Sequence, residues 1–168
     1  MRDLKKYCIL GFIVVSIIGT FFHFIYDLTN KNTFVAFFAP INESIWEHLK
    51  LTFFPMVLWI LITSGKLNYK YPCYNSAIYF STIFSTILVP ILYYTYSGIL
   101  GSNYALIDIS IFFISIITSF YLTYKLSLNC KVYKYENLLF GLILIGIGLF
   151  FIFTIYTPDI DIFLPPKK

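Results

Sequence analysis

Charge is what this sequence has least of. Only 12% of its 168 residues are Asp, Glu, Lys or Arg, about half the roughly 25% of an ordinary soluble domain. That shortage argues against a soluble globular domain. No run of basic residues provides a footprint for nucleic acid. Cysteine is scarce too: Cys8, Cys73 and Cys130 show no metal-binding spacing. There is no P-loop, no H-E-x-x-H pair, no lipidation motif and no internal repeat. Nucleotide-driven transport and inverted-repeat transport are therefore disfavoured.

What remains is grease: 59% hydrophobic residues and a mean hydropathy of +0.80. A helix needs roughly 20 apolar residues to cross about 30 Å of hydrocarbon. Five segments qualify, at about 7–26, 45–64, 76–96, 106–125 and 137–156. The expected fold is an all-α polytopic bundle of five transmembrane helices, with 1–168 forming a single integral membrane domain. The first segment follows Arg2, Lys5 and Lys6 like a signal peptide. Its apolar stretch is longer than a typical h-region and no A-x-A-like site follows, so it reads as a retained helix.

Five spans put the termini on opposite sides. Arg2, Lys5, Lys6, Lys66, Lys70, Lys125, Lys131 and Lys134 fall on the N-terminal side; Lys31, Lys50, Lys167 and Lys168 fall on the other. By the positive-inside rule the N-terminus is cytoplasmic and the C-terminus outside the cell membrane. All three cysteines lie at or near the N-terminal side, where a cytoplasm would keep them reduced, so no disulfide is expected. Acids divide the other way. Asp27, Glu43, Glu47, Asp108, Asp159 and Asp161 gather on the far side, with both histidines, His23 and His48.

Two stretches carry that concentration. In the first span, Ser16, Thr20, His23 and Asp27 are spaced 4, 3 and 4, a single helical face bordered by Gly19. A polar face in lipid turns toward the bundle or a wet cavity. The second stretch, "NESIWEHLK" at 42–50, opens the second span. Much of it reads as capping. Ser44 and Glu47 fit an S-x-x-E box, Glu43 and Glu47 suit the positive helix end, Glu47 and Lys50 pair at i,i+3, and Trp46 suits an interfacial anchor. His48, Asn42 and part of Glu43 are left over.

Antiparallel packing of the two spans would bring these stretches together. His23, Asp27 and His48 are then candidate ligands for a divalent metal, since imidazole and carboxylate suit zinc, manganese or iron. Glu47 or Glu43 is the candidate general base and Lys50 a contact for an anionic group. Asn42, Ser44, Trp46 and Asp108 would support the site. The leading functional expectation is an outward polar pocket in a metal-dependent membrane hydrolase acting on a lipid or envelope substrate. A non-catalytic binding, sensing or assembly protein and a cation or proton pathway stay open beside it. The lipid bilayer is the one expected partner; a membrane partner or homo-oligomer stays open.

The pattern Asn42-Glu43-Ser44, Trp46-Glu47-His48 and Lys50 resembles the signature of an uncharacterised family of small bacterial multi-pass membrane proteins, classified only as a domain of unknown function. His23 in "FFHFIYD" and the tail "TIYTPDIDIFLPPKK" fit the resemblance, the tail more loosely. It implies a multi-pass fold and supplies no activity, substrate or cofactor.

The remaining expectations concern packing. Pro55 and Pro90 should kink the second and third spans. The hydroxyls of Ser76, Ser81, Thr82, Ser85 and Thr86 should bond backbone carbonyls. Trp59 should mark an aromatic belt, and Gly141 with Gly148 a packing groove. The segment "TFVAFFAPI", 33–41, is too short to span and should roof the site. Past Tyr156, prolines forbid further helix, and Asp159 and Asp161 either dangle in water or fold over the far-side cavity.

Overall fold

A computed structural model describes residues 2–166. It is built from helices α1 (Arg2–Leu28), α2 (Thr33–Ala36), α3 (Ile45–Lys70), α4 (Tyr74–Leu100), α5 (Ala105–Asn129) and α6 (Glu136–Ile155), with single 3-10 turns at Tyr133–Tyr135 and Asp161–Phe163. No strand occurs among the described residues. Five helices are long and apolar enough to cross a membrane, all but the short α2. Each expected span is present, and the first four run several residues past the expected limits at one or both ends. α3 continues through Gly65–Lys70 because nothing forbids helix until Pro72, which holds Tyr71 in extended backbone. α4 ends on Gly101 in the left-handed region, at φ 71°.

α3 is the central helix. In its most apolar stretch 67% of residues are buried, against 17% for the last span. Around it the outward faces carry Ile13, Ile17, Phe21, Leu61, Leu142 and Ile145, all exposed. Surface this apolar is compatible with a lipid bilayer.

α1 approaches α3 closely because Pro55 and Gly19 are complementary. Proline has no N–H, so the Leu51 carbonyl lacks its helical donor. Gly19 lies against that carbonyl, and a Cβ there would stand 2.5 Å from it. Gly11 likewise packs against Phe120 and Trp59. In α4 the hydroxyls of Ser81, Thr82, Ser85 and Thr86 all donate to carbonyls one turn back, as expected of packing residues.

Several expectations are corrected. Cys73, at the start of α4, and Cys130, capping α5, form a disulfide with Cα atoms 5.3 Å apart. Spacing in sequence gives no hint of this, because the start of α4 and the end of α5 must converge to create it. Cys8 is free and buried. Trp59 is core, not belt, buried against Phe120. Gly141 and Gly148 face open space, while Gly146 is the residue that admits a neighbour, Phe53.

The first-span stripe is also only half inside. The buried line of α1 runs Leu4, Cys8, Gly11, Val15, Gly19. The polar stripe lies one residue, or about 100°, further round. Ser16 is therefore buried and His23 half-buried, while Thr20 and Asp27 are exposed.

After α6 the chain turns back. Phe163 is buried, its ring 4.8 Å from Trp46 and 5.2 Å from Phe153. The described part of the tail thus folds over the far face and helps line a cavity of about 320 Å³ with Tyr93, Tyr94 and Asp161. Lys167 and Lys168, used in the charge count, lie outside the described residues.

Candidate metal centre

The site grows from the turn into α3. Asn42 Oδ1 accepts the Ser44 N–H at 2.8 Å. Ser44 then caps the helix, its hydroxyl accepting from the Glu47 N–H at 3.4 Å. The other half of the capping box does not form. Asn42 has taken the Ser44 N–H, and the Glu47 carboxylate reaches further back to accept the Ile41 N–H at 2.9 Å.

Glu47 and Lys50 meet inside the protein. Lys50 Nζ donates to Glu47 Oε2, to the Ala36 carbonyl and to Thr154 Oγ1, each at 2.8 Å. An ammonium has three donors, and all three are used. Glu47 is 3% exposed and Lys50 0%. The pair ties the segment after α2 and the end of α6 to the start of α3. These contacts are structural ones, unlike the roles of general base and anion contact expected for Glu47 and Lys50. Both are committed to a closed structural knot and are shut from solvent.

The 33–41 segment is held by the same knot. Phe38 packs on Phe54 and Phe151, and Phe37 on Phe151, so the segment roofs α3 and α6. Trp46 packs inward as well. Its ring lies among Phe150, Phe153 and Phe163 and fixes the returning tail.

His48 follows Glu47 by one residue, so it points about 100° away, toward α1. Its Nδ1 contacts the Ser44 carbonyl at 2.9 Å. A carbonyl can only accept, so Nδ1 carries the hydrogen. The other nitrogen, Nε2, stands 3.4 Å from Glu43 Oε2. The His23 ring comes from α1, its centroid 5.4 Å from that of His48. His23 Nδ1 is buried and has no hydrogen-bond partner among the described residues. One ligand atom from each of His23, Glu43 and His48 lies within 4.8 Å of the others.

Two of the expected ligands, His23 and His48, are thus brought together, with Glu43 as the third. Asp27 is exposed and stands outside the cluster. Its one-turn spacing from His23 follows the helix surface outward rather than inward. Asp108 accepts from the Tyr96 hydroxyl and so joins the end of α4 to the start of α5 instead of reaching the cluster. Tyr96 and Thr154, which complete these contacts, gave no signal in sequence, since each bonds a partner on another helix.

This arrangement of helices and polar residues extends over a chain whose family can be stated. It belongs to a family of unknown function, DUF6512, whose model matches residues 1–166. No curated protein and no solved structure matches the chain. Membership in DUF6512 agrees with the resemblance and leaves the chemistry to the residues themselves.

Proposed function

We propose that this DUF6512 member is a multi-pass membrane protein that binds a divalent metal ion through His23, Glu43 and His48. The convergence of three ligand atoms within 4.8 Å carries this reading. Ligands about 2.0–2.1 Å from a tetrahedral zinc stand about 3.4 Å from one another. The Glu43–His48 separation of 3.4 Å already has that value. Because Nδ1 of His48 is spent on Ser44, its Nε2 faces a carboxylate, and a cation or a proton between them removes the repulsion. The Ser44 carbonyl also fixes the imidazole, as outer-shell partners of metal ligands do. The other three residues around the turn act as supports: Asn42 and Ser44 shape it, and Trp46 anchors it.

Three protein ligands leave a fourth position, and Glu43 is exposed to solvent. That open position supports a second reading, hydrolysis of a lipid or envelope substrate by a metal-bound water. Glu47 is closed in its knot, Glu43 is used as a ligand and Asp27 stands outside the cluster, so no acid of the set is placed as a base. Metal binding for sensing or assembly is therefore the preferred reading.

The decisive experiment is metal analysis after zinc loading and exhaustive dialysis. The expected result is one equivalent per chain, lost in a His23→Ala, His48→Ala variant. Equal, negligible metal in both proteins would remove the proposal.

For orientation, we infer a cytoplasmic N-terminus from the lysine excess on that face. The Cys73–Cys130 bond lies on the same face and argues the other way, since such bonds persist in oxidising compartments. Labelling of introduced cysteines on intact cells decides between them. Labelling in loop 101–104 but not in loop 131–132 keeps the orientation; the reverse pattern inverts it.

A further inference from the structure

The N-terminal face carries a second feature, independent of the metal centre. The start of α1 and the end of α3 enclose a cavity of about 310 Å³ lined by Asp3, Lys6, Tyr7, Lys66, Leu67 and Lys70. Asp3 pairs with Lys70, which fastens the two helix ends together and cancels one charge. Lys66 sits over the Tyr7 ring, its nitrogen 5.5 Å from the centroid. Lys6 and Lys66 therefore leave the cavity with a surplus of two positive charges. Leu67 is buried and forms an apolar wall.

We propose that this cavity binds the phosphodiester of an anionic phospholipid headgroup. The location selects the ligand. α1 and α3 are membrane-length helices, and these residues lie within the first two turns of α1 and the last two turns of α3, where a spanning helix meets the headgroup region. Basic pockets between membrane helices attract anionic headgroups in this way. Two ammonium groups from different helices suit one phosphate, held by charge and by N–H donors. Leu67 and Tyr7 give the glycerol and upper acyl carbons an apolar surface. A free phosphate shares the charge but gains nothing from that surface.

The test is native mass spectrometry of delipidated protein titrated with dioleoyl phosphatidylglycerol, dioleoyl phosphatidylcholine or inorganic phosphate. Phosphatidylglycerol should be retained as a one-to-one adduct under activation that strips phosphatidylcholine. Lys6→Gln with Lys66→Gln should lower retention by roughly 10- to 30-fold. Lys6→Arg with Lys66→Arg should keep it, which separates loss of charge from loss of fold. Lys131→Gln with Lys134→Gln, equal in charge change and on the same face, should have no effect. Equal retention of both lipids, or equal loss in the Lys131 and Lys134 variant, would overturn the proposal. So would displacement of the lipid by inorganic phosphate at equal concentration, which would reassign the cavity to the free anion.

Discussion

Two polar groups grow from the start of one helix, and they have opposite character. Glu47 and Lys50 point inward and are closed: every ammonium donor is used, Glu47 also accepts from Ile41, and both side chains are shut from solvent. Glu43 and His48 point toward α1 and meet His23, and there the bonding is incomplete. One imidazole nitrogen is buried with no partner among the described residues, and another faces a carboxylate. Residue type alone does not separate structure from function here. What separates them is whether the polar atoms have been satisfied by the protein itself.

Breaking the closed group should cost most. Glu47→Ala leaves the Lys50 charge buried and is expected to destabilise by about 3–5 kcal/mol, read by unfolding in detergent. Replacing both with apolar residues of similar volume should cost less than either single change, which a double-mutant cycle measures directly. An additive result would mean that the two residues do not act as a pair.

The open group should respond to metal instead. Zinc at 100 times its dissociation constant should stabilise the wild type by about 2.7 kcal/mol. The His23→Ala, His48→Ala protein should show no such gain. Without metal that variant should stay within about 1 kcal/mol of the wild type, since its groups lie at the edge of the bundle.

Smaller changes sharpen the boundary. Thr154→Val removes one of three acceptors of Lys50 and should cost about 1.5–2 kcal/mol. Asp27→Asn should leave metal binding unchanged and stability within about 0.5 kcal/mol. A large loss of metal with Asp27→Asn would return that residue to the coordination shell.

The spans were legible because hydrophobic length is a local property, and so was Ser44 as a cap. His23 meeting His48 was legible because consecutive membrane spans run antiparallel, which sets the end of α1 beside the start of α3. The i,i+3 pairing of Glu47 with Lys50 could also be read, but not its closure. That depends on the Ala36 carbonyl and on Thr154, 104 residues from Lys50. The stripe Ser16–Asp27 misled by one residue, since spacing defines a face but not which face is inside. The Cys73–Cys130 bond was hidden for a related reason. It joins the turn before α4 to the cap of α5, and only the packing of those helices shows that they meet.

The most direct measurement is zinc-edge X-ray absorption on the loaded protein. The expected spectrum has two imidazole nitrogens and a carboxylate oxygen about 2.0–2.2 Å from the metal, and His23→Ala, His48→Ala abolishes it. A sulfur shell at about 2.3 Å, or a spectrum unchanged in that variant, would contradict a metal centre built from His23, Glu43 and His48.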